Sequence, residues 1–371
     1  RGGSCAEPAG PAPVEEFLAF SAAAGVFGGD LEKRGAMDGA EIGTEKGRGA
    51  AIEARGLVKR FGEVEAVRGI DFDVYEGELF GFLGPNGAGK TTTINMFTGL
   101  ARPDEGTLRI GGVDCTANPR AAQRLIGVVP DESNLYPELT GFENLSFCAS
   151  LYGMRKAERR KRATELLDMF GLSKAGFRKF GGYSKGMKRK LTIAAGIIHR
   201  PRVLFLDEPT TGIDVASARQ VRRLIADLHR EGTTIFLTTH FIEEAERLCE
   251  RIAFLVQGRI ERIDTVENLL QPLREKHVVH IACAVVLDDV RRALSENFPE
   301  ASFACMEAGR IRVESEEPIA VGKLVRFLEE NEVEVYEARK TTPSLEEVFV
   351  RITGIEAEEM RAERAGPGMA R

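Results

Sequence analysis

The stretch Gly84-Pro-Asn-Gly-Ala-Gly-Lys90-Thr91-Thr92 meets the spaced pattern G-x-x-x-x-G-K-[ST]. Glycines in a turn between a strand and a helix let successive backbone N–H groups face a polyphosphate, helped by the positive end of the helix. The flanks suit that role. Glu78-Leu-Phe-Gly-Phe-Leu83 reads as a buried strand, and Thr91 to Gly99 as a helix stopped by glycine. Gly84, Pro85, Asn86, Gly87, Ala88, Gly89, Lys90, Thr91 and Thr92 would then form the cradle. Lys90 would reach the β- and γ-phosphates, and the Thr91 hydroxyl would ligate Mg²⁺.

Two acids could complete this chemistry. Val203-Leu-Phe-Leu206 is a rigid apolar strand ending in Asp207 and Glu208, and strand C-termini are where open α/β sheets gather ligands. Asp207 would hold Mg²⁺, directly or through water, opposite Thr91. Glu208 would orient the attacking water or accept its proton. A carboxylate pair after a strand is only suggestive alone; the phosphate loop gives it meaning. His240 also follows a strand and could donate a hydrogen bond to the γ-phosphate or its water, although a lone histidine is more often structural. His277 and His280 sit three apart on a predicted strand, face opposite sides and do not read as a metal site.

The elements that position these residues alternate. A strand at Ala51–Lys59, a turn at Phe61-Gly62 and a strand through Ala66–Val74 precede the loop, and Gly106–Gly112 reads as a hairpin. Leu125–Pro130 reads as an edge of the core sheet. From Thr140 to Gly171 the pattern is helical, with a basic run at Arg155–Arg162 that suits a solvated face. Tyr183–Lys190 precedes a buried helix, Leu191–Ile198. Val215–Arg230 is an amphipathic helix, Thr233–Thr239 a strand, Phe241–Glu250 a helix and Arg251–Ile260 a hairpin turning at Gln257-Gly258. Buried strands alternating with helices imply a largely parallel sheet covered on both faces. A second unit begins near 277: strand to Val286, helix Asp288–Asn297, strands Ala301–Glu307 and Arg310–Glu316, helix from Pro318 to Glu330, strand Val333–Tyr336 and helix Thr342–Arg351. Its β-α-β-β-α-β order is that of a ferredoxin-like module.

With 371 residues the chain has room for two or three domains. An apolar fraction of 43%, a charged fraction of 29% and a net charge of -6 describe a globular protein without a broad basic field, so no nucleic-acid partner is expected. The longest apolar runs fall far short of the roughly 20 residues that cross a bilayer. Six scattered cysteines without C-x-x-C spacing read as reduced, mostly structural thiols. Residues 1–48 are rich in Gly, Ala and Pro, with one short helical candidate at Val14–Phe20, and read as a disordered or non-native leader; 354–371 reads as a polar tail.

Taken together, 51–265 resembles the nucleotide-binding subunit of an ATP-binding cassette (ABC) transporter, and 270–353 resembles the C-terminal extension of the drug, antibiotic and sodium exporter (ABC-2) type. The resemblance implies a P-loop NTPase fold of ABC type, with an antiparallel β subdomain and a helical subdomain at 132–180. On the domain plan it implies, 49–268 is the ATPase domain and 270–353 an accessory module. It implies Phe61 as the aromatic that stacks on adenine. It also implies Ser184, Lys185, Gly186 and Met187, with Lys188, as the signature completing a neighbouring subunit's site, and Asp214 in the loop linking the two sites. Lys90, Glu208 and His240 are the expected catalytic residues, with Thr91, Asp207 and Asp131 at the metal. ATP and Mg²⁺ are the expected ligands. The expected partners are a second nucleotide-binding subunit, in a homodimer or heterodimer, and a separate multi-spanning permease, which places the chain peripherally on the cytoplasmic face of the membrane. Two departures stand out. Asp131 occupies a position usually held by glutamine, and Lys185 and Met187 replace a glycine and a glutamine of the signature. The rival readings are a soluble ABC-type ATPase of translation or DNA repair, and a weakly active regulatory nucleotide-binding module.

Overall fold

A computed structural model describes residues 48–274, 277–284, 288–306, 309–341 and 344–355. The leader before Arg48 and the tail from 356 onward lie outside the described residues. The chain divides into two compact units, one running to Ile263 and the other from Asp264 to Ile355.

The first unit carries two sheets. β1 (Ala50–Phe61) pairs antiparallel with β2 (Val64–Tyr75). β3 (Leu79–Leu83) leads through the phosphate loop to α1 (Lys90–Thr98), which Gly99 ends in the left-handed region. β4 (Glu105–Ile110) and β5 (Val113–Asp114) form the short hairpin that completes a four-stranded antiparallel sheet in the order β2-β1-β4-β5. After a short helix α2 (Pro119–Gln123), β6 (Ile126–Val129) lies at one edge of the second sheet.

α3 (Gly141–Leu151) and α4 (Lys156–Met169) then form the helical segment. Thr140 starts α3 with a capping box: its hydroxyl accepts the Glu143 N–H (3.1 Å) while Glu143 accepts the Thr140 N–H (2.8 Å). The chain continues through α5 (Lys185–Gly196), β7 (Val203–Asp207), α6 (Val215–Arg230), β8 (Thr234–Thr239), α7 (Ile242–Leu248), β9 (Arg251–Val256) and β10 (Arg259–Thr265). The six-stranded sheet runs β10-β9-β3-β8-β7-β6, and its β9-β3-β8-β7-β6 pairings are all parallel. β3, β7 and β8 are buried at every residue, as expected of central strands covered on both faces.

Six phenylalanines knit the layers. Phe72 of β2 lies 5.5–5.8 Å, ring centroid to centroid, from Phe80, Phe82 and Phe236, while Phe97 of α1 reaches Phe72 at 5.9 Å and Phe205 at 5.7 Å. Each such pair adds about 0.5–1.5 kcal/mol beyond burial. The cluster pins the helix that follows the phosphate loop to the two strands that carry its partners.

The second unit holds α8 (Val266–Arg274), β11 (His277–Cys283), α9 (Asp288–Asn297), β12 (Ala301–Met306), β13 (Arg310–Ser315), α10 (Val321–Glu330), β14 (Val335–Thr341) and α11 (Leu345–Thr353). Its sheet order, β12-β13-β11-β14 with antiparallel pairing, is the ferredoxin-like arrangement. Val279, Ile281, Ile311, Val313, Leu324 and Leu328 form its core.

Several boundaries differ from the expected ones. The helix expected from Leu191 begins at Lys185, because Ser184 caps it and its carbonyl accepts the Lys188 N–H at 2.8 Å. Pro318 is not in a first helical turn: Ile319 is buried in the core, the chain stays irregular to reach it, and α10 starts after Ala320. β11 ends at Cys283, and the Val285-Val286 part of the expected strand lies outside the described residues. α8 had no expectation, since Pro272 interrupts its apolar pattern.

Candidate functional site

The phosphate loop is shaped by backbone contacts more than by side chains. Gly89 has φ of 104°, and a Cβ there would stand 2.4 Å from the Ala66 carbonyl of β2, so only glycine fits. The Ala88 carbonyl accepts the Gly258 N–H at 3.0 Å, tying the loop to the β9–β10 turn. A Cβ on Gly258 would meet the same Ala66 carbonyl at 2.9 Å. Lys90 is only 6% exposed; its ammonium donates to the carbonyls of Gly84 (2.8 Å) and Pro85 (3.0 Å) and lies 3.3 Å from Glu208 Oε1.

Asp207 and Thr91 meet directly: the Thr91 hydroxyl donates to Asp207 Oδ2 at 2.8 Å, and Thr238 of β8 donates to Oδ1. Burial pushes the Asp207 pKa up, against the lowering effect of these hydroxyls. Glu208 comes next in a left-handed conformation (φ 48°), which a non-glycine residue adopts only at some cost. Its N–H is held by the Thr238 carbonyl (3.1 Å) and hydroxyl (3.2 Å), and its Oε2 faces His240 Nδ1 at 2.6 Å and the Thr211 hydroxyl at 3.0 Å. Burial alone would raise the Glu208 pKa. The hydrogen bond with His240 and the Lys90 charge outweigh it and hold the carboxyl below its usual value. Thus Lys90, Thr91, Asp207, Glu208 and His240, drawn from three separate stretches, converge on one point. An anionic base beside a lysine and a histidine, at the foot of a phosphate cradle, is equipped to handle water next to a phosphoryl group.

Other expected residues lie apart from that point. Ser184 caps α5 by accepting the Met187 N–H (3.3 Å), and Lys185 is exposed. A Cβ on Gly186 would stand 2.2 Å from Ser217 Oγ at the start of α6, so this turn sits tightly against that helix. Asp214 caps α6 by accepting the Ser217 N–H (2.9 Å) and hydroxyl (2.6 Å), and these bonds lower its pKa. Among the described residues no hydrogen bond or ion pair joins 184–188 to 84–92. Phe61 is 55% exposed at the end of β1, with the Lys59 ammonium 5.2 Å from its ring centre. Asp131 is exposed beyond β6, and its backbone carbonyl accepts from Arg189 at 2.9 Å.

Arg189 is a site residue that sequence reading missed. It is 3% exposed, and its guanidinium donates to the carbonyls of Pro130, Asp131, Asp207 (2.6 Å) and Pro209 (2.8 Å). One side chain thereby ties the α5 helix to the loop carrying Asp131, to the end of β7 at Asp207 and to the turn at Pro209. Desolvation lowers its pKa to about 10. A signal existed: Gly186, Arg189, Ile193 and Gly196 fall on one buried face at helical spacing, and an arginine at a core position requires buried acceptors. Thr238 and Glu244 were also missed.

Comparison with known proteins agrees with this geometry. The family described as "ABC transporter" matches residues 67–211. The daunorubicin/doxorubicin resistance ATP-binding protein DrrA of Streptomyces peucetius is 38% identical over 85% of this chain and 96% of that protein. The Nod factor export ATP-binding protein I of Burkholderia orbicola (strain AU 1054) is 43% identical over 57% of this chain and 69% of its own length. A dimeric ATP-binding cassette in a post-hydrolysis state, bound to ADP and Pi, superposes with a TM-score of 0.54 at 29% identity over 58% of this chain and 98% of that one. With the glycine-rich loop, the buried carboxylate pair and these relatives in agreement, the chain belongs to the ABC transporter family, as an ATP-binding and ATP-hydrolysing subunit of the exporter type.

Proposed function

We propose that this chain hydrolyses ATP at two composite sites formed head-to-tail with a second nucleotide-binding subunit, and so drives a separate multi-spanning permease at the cytoplasmic face of a membrane. Residues 49–268 carry the catalysis, 132–180 offer the docking surface for the permease, and 270–353 serve as an accessory module. Residues Gly84 to Thr92 hold the phosphates while adenine stacks on Phe61. The opposing subunit contributes Ser184, Lys185, Gly186 and Met187, and Asp214 links the two sites. No helix among the described residues is long and apolar enough to cross a membrane, which fits a peripheral subunit.

Glu208 orients the attacking water and accepts its proton. Lys90 neutralises charge on the γ-phosphate. Only a doubly protonated His240 could donate to Glu208 through Nδ1 and to a phosphate oxygen through Nε2 at once. The oxygen donors Thr91 and Asp207, linked by a 2.8 Å hydrogen bond, suit a hard cation such as Mg²⁺, with Asp131 as a further oxygen donor. The ion would supply charge neutralisation at the transferring phosphoryl group.

The observation that carries this reading is the placement of Glu208, 3.3 Å from the Lys90 ammonium and 2.6 Å from His240. Its test is Glu208→Gln: ATP binding is retained, hydrolysis falls on the order of 10²–10³-fold, and an ATP-bound dimer accumulates on size exclusion. Unchanged steady-state hydrolysis by the purified variant overturns the assignment of the base.

A further inference from the structure

Behind Glu208 and His240 lies a third carboxylate that touches neither the phosphate loop nor Asp207. Glu244, in the first turn of α7, is 3% exposed. Each of its oxygens is occupied: Oε1 accepts the Thr210 hydroxyl at 2.8 Å, and Oε2 accepts the Thr239 hydroxyl at 2.9 Å. Thr210 stands two residues after Glu208, and Thr239 immediately precedes His240. The Thr239 hydroxyl also accepts the Phe241 N–H at 3.0 Å, so the backbone on both sides of His240 is held through the same group.

An isolated buried carboxylate is expensive unless its oxygens are satisfied. Here the satisfaction comes from two neutral hydroxyls. Burial pushes the Glu244 pKa up; the two hydroxyls and the Arg222 charge of α6 pull it down, and Glu208 opposes its ionisation. Glu244 in turn acts on Arg189 and on the buried thiol of Cys249. A carboxyl kept in this position without a bonded cation serves geometry: it spans the gap between the turn after β7 and the end of β8.

We propose that Glu244 is a positioning residue that fixes the spacing of Glu208 and His240 by holding Thr210 and Thr239 on its two oxygens. This rests on the reading of Glu208 and His240 given above. The left-handed backbone of Glu208 gives the clamp a purpose, since a residue in that region persists only where its surroundings over-determine it. The Glu208 N–H is fixed from β8 through Thr238, and Glu244 fixes the following turn from α7.

The test compares Glu244→Ala, Glu244→Gln and Glu78→Gln in the full chain, measuring Mg²⁺-dependent ATP hydrolysis, binding of a fluorescent ATP analogue, thermal midpoint and hydrogen–deuterium exchange. Glu78 is a control: it is equally buried but bonds Arg251 and the Tyr75 N–H. Glu244→Ala is expected to lower kcat by on the order of 10²-fold, with KM for ATP and analogue affinity within about twofold. It should also speed exchange in peptides covering 207–214 and 238–243. Glu244→Gln, which keeps one acceptor and adds a donor, should recover kcat to within about threefold of the parent. Glu78→Gln should lower the midpoint and leave kcat alone.

Loss confined to the midpoint, equal losses in Glu244→Ala and Glu78→Gln, or exchange unchanged in the two peptides overturns the proposal. A Glu208→Gln chain run alongside separates the two readings. If it hydrolyses ATP like the parent, the assignment of the base falls, while unchanged exchange in Glu244→Ala defeats the clamp whatever the activity.

Discussion

The phosphate loop and the signature stretch are built from similar parts, a glycine-bearing turn running into the N-terminus of a helix, yet their surroundings differ. At the loop, Lys90 and Thr91 finish their bonds inside the chain, on Gly84, Pro85, Glu208 and Asp207; Lys90, Glu208 and Asp207 are buried, and the exposed Thr91 turns its hydroxyl onto Asp207. At the signature, Ser184 and Lys185 are exposed, and the Ser184 hydroxyl serves its own helix. The packing there is directed inward, through Gly186 against Ser217 and Arg189 against four carbonyls. Buried polar groups must find partners within the fold, whereas a surface turn can be held rigid from behind and leave its outer face for another molecule. The first region is therefore a site in itself. The second is a braced surface whose chemistry, on the proposed reading, belongs to a neighbour's nucleotide.

Breaking the internal half should have the largest effect. Lys90→Ala is expected to abolish nucleotide binding and reduce hydrolysis by on the order of 10³-fold, measured by filter binding and phosphate release. Ser184→Ala should cost about 1 kcal/mol of helix capping and lower hydrolysis by roughly 10–10²-fold. Nucleotide affinity of the isolated chain should stay within about twofold, because the Ser184 hydroxyl is engaged by its own helix and, among the described residues, bonds nothing in the loop. A mixture sharpens the contrast. If sites are shared head-to-tail, a 1:1 mixture of Lys90→Ala and Ser184→Ala chains rebuilds one intact site in each mixed dimer and recovers about a quarter of parent activity. Activity no higher than the mean of the separate variants would count against shared sites. The smallest effect is expected from Lys185→Gly: turnover changes by less than about fivefold, and rates become less sensitive to salt between low and physiological ionic strength.

The catalytic fold was legible wherever pattern and chemistry coincide. β3, β7 and β8 are short, largely apolar runs, of which β7 and β8 end at polar residues, and the topology that collects those ends explains how Asp207, Glu208 and His240 meet. α6 follows the expected bounds because Asp214 caps it and Ala218, Val221, Ile225 and Leu228 repeat at helical spacing. The start of α5 was misjudged because Lys185, Lys188, Arg189 and Lys190 mask the helical period with charge, although Arg189 is a core residue. Glu244 was illegible for a related reason: it sits among Glu243, Glu246 and Arg247 in what reads as a wet helix, and only the tertiary fold turns it inward. The signature's separation from the loop follows from no residue type. It depends on how α5 and α1 are set around the sheet.

The Ala66 carbonyl lies beneath two glycines, Gly89 at the end of the loop and Gly258 in the β9–β10 turn, while the Ala88 carbonyl accepts the Gly258 N–H. The proposed nucleotide grip is thus cast partly against the tip of a hairpin. For inheritance this separates what is free to drift from what is not. The apolar strands on either side can exchange one hydrophobic residue for another. The turn itself cannot gain a side chain or change length without re-cutting the cradle, and its lesions would surface in a genetic screen as lost ATP binding from a position well outside every nucleotide motif.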